Sequence, residues 1–563
     1  MKKILLMLIA THALSAAGLD SAIAATHAPW KRILTALYAH HHHQPFWTAP
    51  ADASRRAALL DLLDDPYFNY KNKPFNRATI DRLLAQQGSD IQPDGIGAKL
   101  DVALSEAYVR LLHFVRVGDV DWALVQRKMA HLKATQDVRA TWEITPHALP
   151  DPSAIASAIE RGELSQFLEQ NIPLASTYKG LIAQLQHYQN MPDFPDIPYG
   201  KRLQAHSFDD RLRLIKKKLQ FFGDYRRSDT GSGWNSDLTK AVRSFRERLN
   251  LSQGDYIDNK TILYLNKPRA FYLRKILTNL DILKLYPHTF ESEYVEINVP
   301  DFRLRYYQQG REIFRSPIVV GRIDRPTPIF SDAIEYLVLN PTWAITNNLV
   351  RRDLIPVLKR DPGYLATHNI HVFSGGKEVP LDRKRLFAAE HGGPVPYRFV
   401  QFPGEKNALG RVKFMFPNQY AVYLHDTDNK TLFQYRYRVF SSGCMRVGKP
   451  FELMRILLRH AKGTYSESRI QKILETNKPT TIHLTKPIPV HILYRTAYRE
   501  GNKDYFLYDI YMYEQMIYES SEGHVKPDFT VPKKRLTGVK RVGRIHTDTR
   551  KHTPKHAAPD DLF

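Results

Sequence analysis

The chain has 563 residues, with 81 Lys+Arg against 58 Asp+Glu, a formal net charge of +23 and one cysteine. That length supplies core for about two to four domains, and a single cysteine excludes an internal disulfide framework. The positive balance favours a polyanionic partner or surface. No nucleic-acid-binding motif accompanies it, and a carboxylate-rich polymer such as a bacterial cell wall suits it equally well.

At the start of the chain, Met1-Lys2-Lys3 is a short positive region, Ile4 to Leu19 is mostly apolar, and Ala22-Ile23-Ala24 has the small-x-small form of a cleavage site. The pattern predicts a secretory leader over 1–24, cleaved after Ala24, with an uncleaved anchor as the alternative. The apolar run is too short and too interrupted for a comfortable span of about 20 residues. An exported chain with one thiol keeps that thiol exposed to oxidation, which favours a reactive role for it. His40 to His43 form a four-histidine tract with no second ligand cluster, so no metal site is assigned.

From Ser54 to about Glu169 the apolar spacing is helical, clearest over Leu100 to Arg116, and residues 50–200 are expected to form a helical scaffold domain. Pro192, Pro195 and Pro198 rule out regular structure across the following linker. Two apolar helical stripes follow, Leu212/Ile215/Leu219 and Ala241/Val242/Phe245, then Thr261 and Leu265. Their spacing over 209–268 resembles the three-helix peptidoglycan-binding module of cell-wall enzymes, although the loop Asp224 to Ser236 departs from its usual short form.

Beyond Phe271 to Leu285, a helical connector, the period changes from helix to strand. Tyr294–Val299, Phe302–Tyr307, Ser316–Gly321, Val412–Phe416, Tyr420–His425, Thr480–Leu484, Val490–Tyr498 and Tyr505–Tyr513 predict an all-β domain over 290–515 with a single helix from Pro450 to about Lys462. From 526 to 563 the chain is basic and poor in apolar residues, the composition of a disordered tail. The fold class expected is multidomain α+β.

The one cysteine, Cys444, follows Gly443, and His425 lies nineteen residues upstream. A lone thiol is by itself as compatible with a small buried hydrophobe as with a nucleophile. With a histidine on a neighbouring strand, however, it has the minimum kit for cysteine catalysis: the imidazole takes the thiol proton. Glycine before the nucleophile lets the backbone turn tightly and frees the Gly443 and Cys444 amides for a developing oxyanion, worth several kcal/mol. Tyr423 and His425, two apart on a strand, share a face, whereas Asp426 points to the other. Arg446 is placed to hold a substrate carboxylate or pin the loop, and Ser441 to orient the imidazole or the loop.

The segment His425-Asp426-Thr427 with Phe440-Ser441-Ser442-Gly443-Cys444-Met445-Arg446-Val447 resembles the S-x-G-C-x-R signature of L,D-transpeptidases of the YkuD type. Asn340-Pro341-Thr342-Trp343, Pro403 to Asn418 and Pro487 to Tyr498 are similar to the large YcbB-like branch of Gram-negative bacteria. The resemblance implies a YkuD-like β-sandwich or barrel. It also implies a capping insertion, by position 347–397, with Gly375-Gly376 and Gly392-Gly393 as possible hinges, and a periplasmic location. It implies that Cys444 attacks the bond between meso-diaminopimelate and the terminal D-Ala of a tetrapeptide stem, with His425 as general base and later acid. Gly443, Tyr423, Ser441 and Ser442 would line or support the oxyanion site, and Arg446 would contact substrate. A thioester would then be resolved by the diaminopimelate amine of a second stem. Carbapenem acylation, no cofactor, a monomeric state and contact with other wall synthases belong to the same expectation. Water or a protein lysine as acceptor, and a non-catalytic wall-binding protein, are the alternatives. Of the histidines in the insertion, His368, His371 and His391, a structural or solvated role is expected.

Overall fold

The computed structural model describes residues 17–87, 95–145 and 147–521. Residues 1–16 of the predicted leader and the basic tail lie outside them. Residues 17–24 are helical, and Leu19 and Ile23 are buried.

The N-terminal third is helical and is built around Ile96–Arg116, a 21-residue helix with buried positions all round. A helix apolar on every face has to be enclosed. Ala28–His40, Ala53–Asp64 and Arg77–Gln87 pack on it. Its one buried carboxylate, Asp101, accepts from the amides of Phe46 (3.0 Å), Trp47 (2.8 Å) and Thr48 (3.1 Å), and from the hydroxyls of Tyr38 (2.6 Å) and Thr48 (3.1 Å). These donors tie the non-helical segment 46–48 to the central helix. The proline-rich stretch 191–200 carries neither helix nor strand, as its composition requires, and Asn266 clamps it through both bonds to Ile197 (2.9 Å each).

Helices Arg211–Phe221, Ser236–Arg248 and Asn259–Leu265 form the next unit, stitched by β1 (Leu203–Gln204) and β2 (Tyr256–Ile257). Asn235 and Asp258 cap the second and third helices through side-chain oxygens. Helix Arg269–Leu283 then leads into the sheet domain.

That domain contains β3 (Glu293–Asn298), β4 (Arg303–Gln308), β5 (Arg311–Gly321) and β6 (Phe330–Leu339). An insertion follows, with β7 (Trp343–Ile345), β8 (Ile370–Ser374), β9 (Lys377–Glu378) and β10 (Arg398–Gln401). The chain returns through β11 (Val412–Met415), β12 (Leu424–His425), β13 (Val439–Ser441), β14 (Met445–Val447) and β15 (Thr480–Leu493). The large sheet runs β13-β5-β14-β12-β11-β6-β15-β3-β4, and β4 pairs back onto β5, so eight of the nine strands close on themselves while β13 lies parallel against β5 as an outer strand. The inserted strands make a separate sheet, β7-β10-β8-β9, with its own core of Val350, Ile355, Leu358, Leu386 and Phe399. The multidomain α+β class holds, with a helical N-terminal region and a large C-terminal sheet.

Local boundaries differ from the sequence pattern at several elements. Thr480–Leu493 is one strand with a register shift between His483 and Ile488, not two. Tyr505–Tyr513 is strand only to Phe506, and Tyr513–Tyr518 is a short helix. A second helix, Glu467–Glu475, follows Pro450–Leu457; its Ser466 cap, bonded to the Arg469 amide, is a start signal that the strand-dominated reading passed over.

Candidate active site

Strand β12 lies between β11 and β14. It pairs antiparallel with β11, Lys413 opposite His425, and parallel with β14, His425 opposite Arg446. One row across three strands is therefore Lys413, His425, Arg446, all on one face. Two residues back, the Met445 amide donates to the Tyr423 carbonyl (3.1 Å), and alternation puts Tyr423 and Cys444 on that same face. The Tyr423 and His425 rings meet edge-on, with centroids 5.6 Å apart. Parallel pairing of β12 with β14 thus turns a nineteen-residue separation into a neighbouring position.

Strand β12 is only two residues long because Asn418 coils the chain before it. Its side chain accepts from the amides of Tyr420 (3.0 Å) and Val422 (3.3 Å), and Ala421 takes a φ of +53°. That conformation turns the Ala421 carbonyl toward Cys444, whose Sγ lies 3.9 Å away. Burial, and then the neighbouring Cys444 thiol, raise the pKa of the Tyr423 hydroxyl.

His425 Nδ1 lies 2.5 Å from the Asp426 carbonyl. A carbonyl only accepts, so Nδ1 carries the proton and Nε2 is left as the basic nitrogen. Burial, then the Arg446 charge, and more weakly Lys413 and Lys430, push the imidazole down to about 3. Burial pushes the Cys444 thiol up to about 11, against the pull of the Tyr423 and Cys444 amides, Arg446 and Lys413. The sequence argument pictured an ionised sulfur beside the imidazole. At rest the site instead holds a neutral thiol and a neutral imidazole, because desolvation outweighs both cations.

Gly443 has φ +108°, a region open to glycine, and its carbonyl accepts from Thr327 Oγ1 (2.8 Å). Thr327 Oγ1 in turn accepts from the Gly321 amide (2.9 Å), and the Tyr511 hydroxyl donates to the Gly321 carbonyl (2.6 Å). A Cβ on Gly321 would lie 2.3 Å from the Arg325 carbonyl, so only glycine permits this turn. Asp426 faces away: its Oδ2 accepts from the Arg411 amide (2.9 Å), Oδ1 pairs with Lys430, and the side chain fills the space beside Gly410.

Ser441 is buried in β13, and its backbone carbonyl accepts from Arg322 (2.8 Å); among the described residues its hydroxyl makes no bond to His425. Ser442 is exposed. Arg446 donates to Thr427 Oγ1 (3.1 Å) and feels Asp428, while its Nε is buried without a partner among the described residues. Burial lowers its basicity.

The insertion bears on this site. Arg325 donates both guanidinium nitrogens to Asp353 (2.6 and 2.9 Å), and Arg352 reaches Asp324 (3.0 Å). Residues 322–327, which carry Thr327, are thereby tied to the insertion. Tyr364 lies near enough to Asp428 for that carboxylate to join burial in raising its hydroxyl to about 12. The three histidines stay within the insertion: His368 stacks on Tyr364, His371 pairs with Glu378, and His391 is exposed beside Glu390. Gly375 and Gly376 form the turn of the β8–β9 hairpin, both at positive φ. Among the described residues no group of three His, Cys, Asp or Glu side chains is placed to hold a metal, and no helix is long and apolar enough to cross a membrane.

Sequence reasoning passed over Lys413 and Thr327. Lys413 was accessible to it: Val412 and Phe414 are apolar, so alternation in that strand turns Lys413 to the other face. Thr327 stands in the stretch Val320-Gly321 to Thr327-Pro328, which shares the family resemblance but showed no role for its hydroxyl.

Residues 292–475 match the family model of the L,D-transpeptidase catalytic domain, and residues 32–185 match a model described as a scaffold domain. A Haemophilus influenzae protein named "Putative L,D-transpeptidase" is 35% identical over 244 residues, 43% of this chain and 49% of that protein, so the match spans about half the relative's length. Crystal structures of L,D-transpeptidases from Xylanimonas cellulosilytica and Stackebrandtia nassauensis are 14% and 11% identical. They cover 54% and 53% of this chain and 100% and 96% of theirs, with TM-scores of 0.17 and 0.19, too low to carry a structural argument.

Proposed function

We propose that this chain, whose residues 292–475 belong to the L,D-transpeptidase catalytic-domain family, cross-links peptidoglycan stem peptides in the periplasm with Cys444 as nucleophile. The observation that carries this reading is the shared sheet face of Cys444, Tyr423 and His425, with the Asp426 carbonyl holding His425 in the tautomer that leaves Nε2 basic.

The neutral pair sets the order of events. Sγ attacks the diaminopimelate carbonyl as His425 Nε2 takes the thiol proton, so charge separates only as the new bond forms. The oxyanion is met by the amides of Gly443 and Cys444 and by the Tyr423 hydroxyl. His425 returns the proton to the departing D-Ala nitrogen, and a thioester remains. The side-chain amine of a second stem then attacks the thioester carbonyl, giving its proton to His425. The cysteine thiol is restored as the amide forms. No cofactor enters this cycle. The net charge of +23 suits an anionic wall polymer.

The test is incubation of the mature protein with purified tetrapeptide muropeptides. A cross-linked dimer with loss of D-Ala is expected, and Cys444→Ala should reduce it to background with an unchanged melting temperature. Stems left untouched by the wild type would overturn the reading. Stems trimmed without a dimer would assign water as acceptor. A mass increase on Cys444 after incubation with a carbapenem is expected from the same thiol.

A further inference from the structure

Lys413 is a desolvated cation without an anion. Val412 and Phe414, on either side of it, are fully buried in the core, so Lys413 faces the Cys444 side. Its ammonium stands 5.6 Å over the Tyr423 ring, and among the described residues no carboxylate or carbonyl accepts a hydrogen bond from it. Other desolvated lysines are paired, Lys71 with Asp119 and Asp281 and Lys275 with Glu514, while Lys218 donates to the Leu265 carbonyl and Asn266, and Lys267, far from the Cys444 face, rests on the Tyr264 and Phe271 rings. A ring face orients an ammonium but does not neutralise it. Holding such a group beside a reacting centre is unfavourable unless a ligand supplies the counter-charge.

Its position says which part of a ligand would do so. Cys444 receives the acyl carbon, and His425 hands its proton to the leaving nitrogen. Lys413 is in register with His425 on the strand away from Cys444, so it meets whatever lies just beyond that nitrogen. When the leaving group is an amino acid, its carboxylate is two covalent bonds beyond. Arg446, on the opposite flank, is already anchored by Thr427 and faces Asp428; Lys413 has neither.

We infer that Lys413 is a specificity-determining residue that binds the free carboxylate of the leaving D-amino acid, so that the site selects acyl donors ending one residue past the scissile bond. This rests on the acyl-transfer reading above, and the experiment separates the two. In one arm, kcat/KM is measured for a tetrapeptide stem and for the same stem with its terminal carboxylate converted to an amide. Wild type is expected to favour the carboxylate about 30-fold, roughly 2 kcal/mol. In Lys413→Met the preference falls to near one, and Lys413→Arg keeps most of it. In the second arm, which needs no turnover, Cys444 is alkylated with iodoacetate and with iodoacetamide. Lys413→Met is expected to slow iodoacetate several-fold more than iodoacetamide. Melting temperatures of both variants report folding. If wild type turns over no stem, the acyl-transfer reading fails and the alkylation ratio still decides the role of Lys413. If stems turn over and Lys413→Met slows both donors equally, with an unchanged alkylation ratio, the inference is overturned while the activity stands.

Discussion

Two parts of this molecule bury charge, and they do it in opposite ways. In the helical region, Asp101 is wholly enclosed and accepts five hydrogen bonds, so burial pushes its carboxyl up while the donors pull it back. On the sheet face, Lys413 and Arg446 flank His425; Arg446 bonds Thr427 but keeps Nε without a partner among the described residues, and none of their carboxylates pairs with Lys413. A charge whose partners are all internal serves the fold. One whose partners are missing is held ready for something the chain does not contain.

The sharpest way to break this comparison is Asp101→Ala. It strands the amides of Phe46, Trp47 and Thr48 in the interior, and should cost about 3–5 kcal/mol in chemical unfolding. Activity per folded molecule should be unchanged. A loss below about 1 kcal/mol would remove the distinction between the two regions.

Thr327→Val comes next. The side chain is fully buried and bonds both Gly443 and Gly321. Its loss should cost about 1–2 kcal/mol of stability and on the order of tenfold in kcat, because the Gly443 carbonyl is no longer held. Thr327→Ser should recover most of both.

The neutral imidazole gives a pH signature. Its pKa in the folded protein, about 3, lies below the unfolded value near 6.5. Between those values the unfolded chain binds a proton that the folded chain does not. Stability from this group therefore rises with pH across that window and is lost on acidification, by on the order of 1 kcal/mol per pH unit. His425→Asn should flatten that part of the melting-temperature profile. Iodoacetamide reactivity of Cys444 should keep climbing toward pH 11 rather than level off near 9.

The smallest effect is expected at Asp353→Asn. Asp353 is 30% exposed, so solvent screens its pair with Arg325 and the stability loss should stay under about 1 kcal/mol. A KM for stem peptide raised a few-fold, with kcat unchanged, would mark the insertion as a substrate-closing element.

Much of the site was legible because its logic is local. Alternation alone puts Tyr423 and His425 on one face and Asp426 on the other, and the structure seats Asp426 against Arg411, Lys430 and Gly410. Gly443 before a lone cysteine announces a turn. The neutral state of Cys444 and His425 was not legible, since it follows from how much protein surrounds them. The helix over 467–475 was missed although its serine cap stands in the text, because neighbouring strand patterns outweighed a nine-residue segment.

The amino-acid order by itself settled periodicity, and with it which side chains share a strand face and where a lone thiol has a glycine to turn on. Side-chain alternation is a property of consecutive residues and needs no partner. The turn at Pro417-Asn418-Gln419 already made a hairpin of β11 and β12, but only the tertiary structure decided that β12 lies parallel to β14, aligning Lys413, His425 and Arg446 in one row, and that Thr327 reaches across to Gly443. Strand neighbours and register are chosen by the packing of segments distant in sequence, and no stretch of a few residues contains that information.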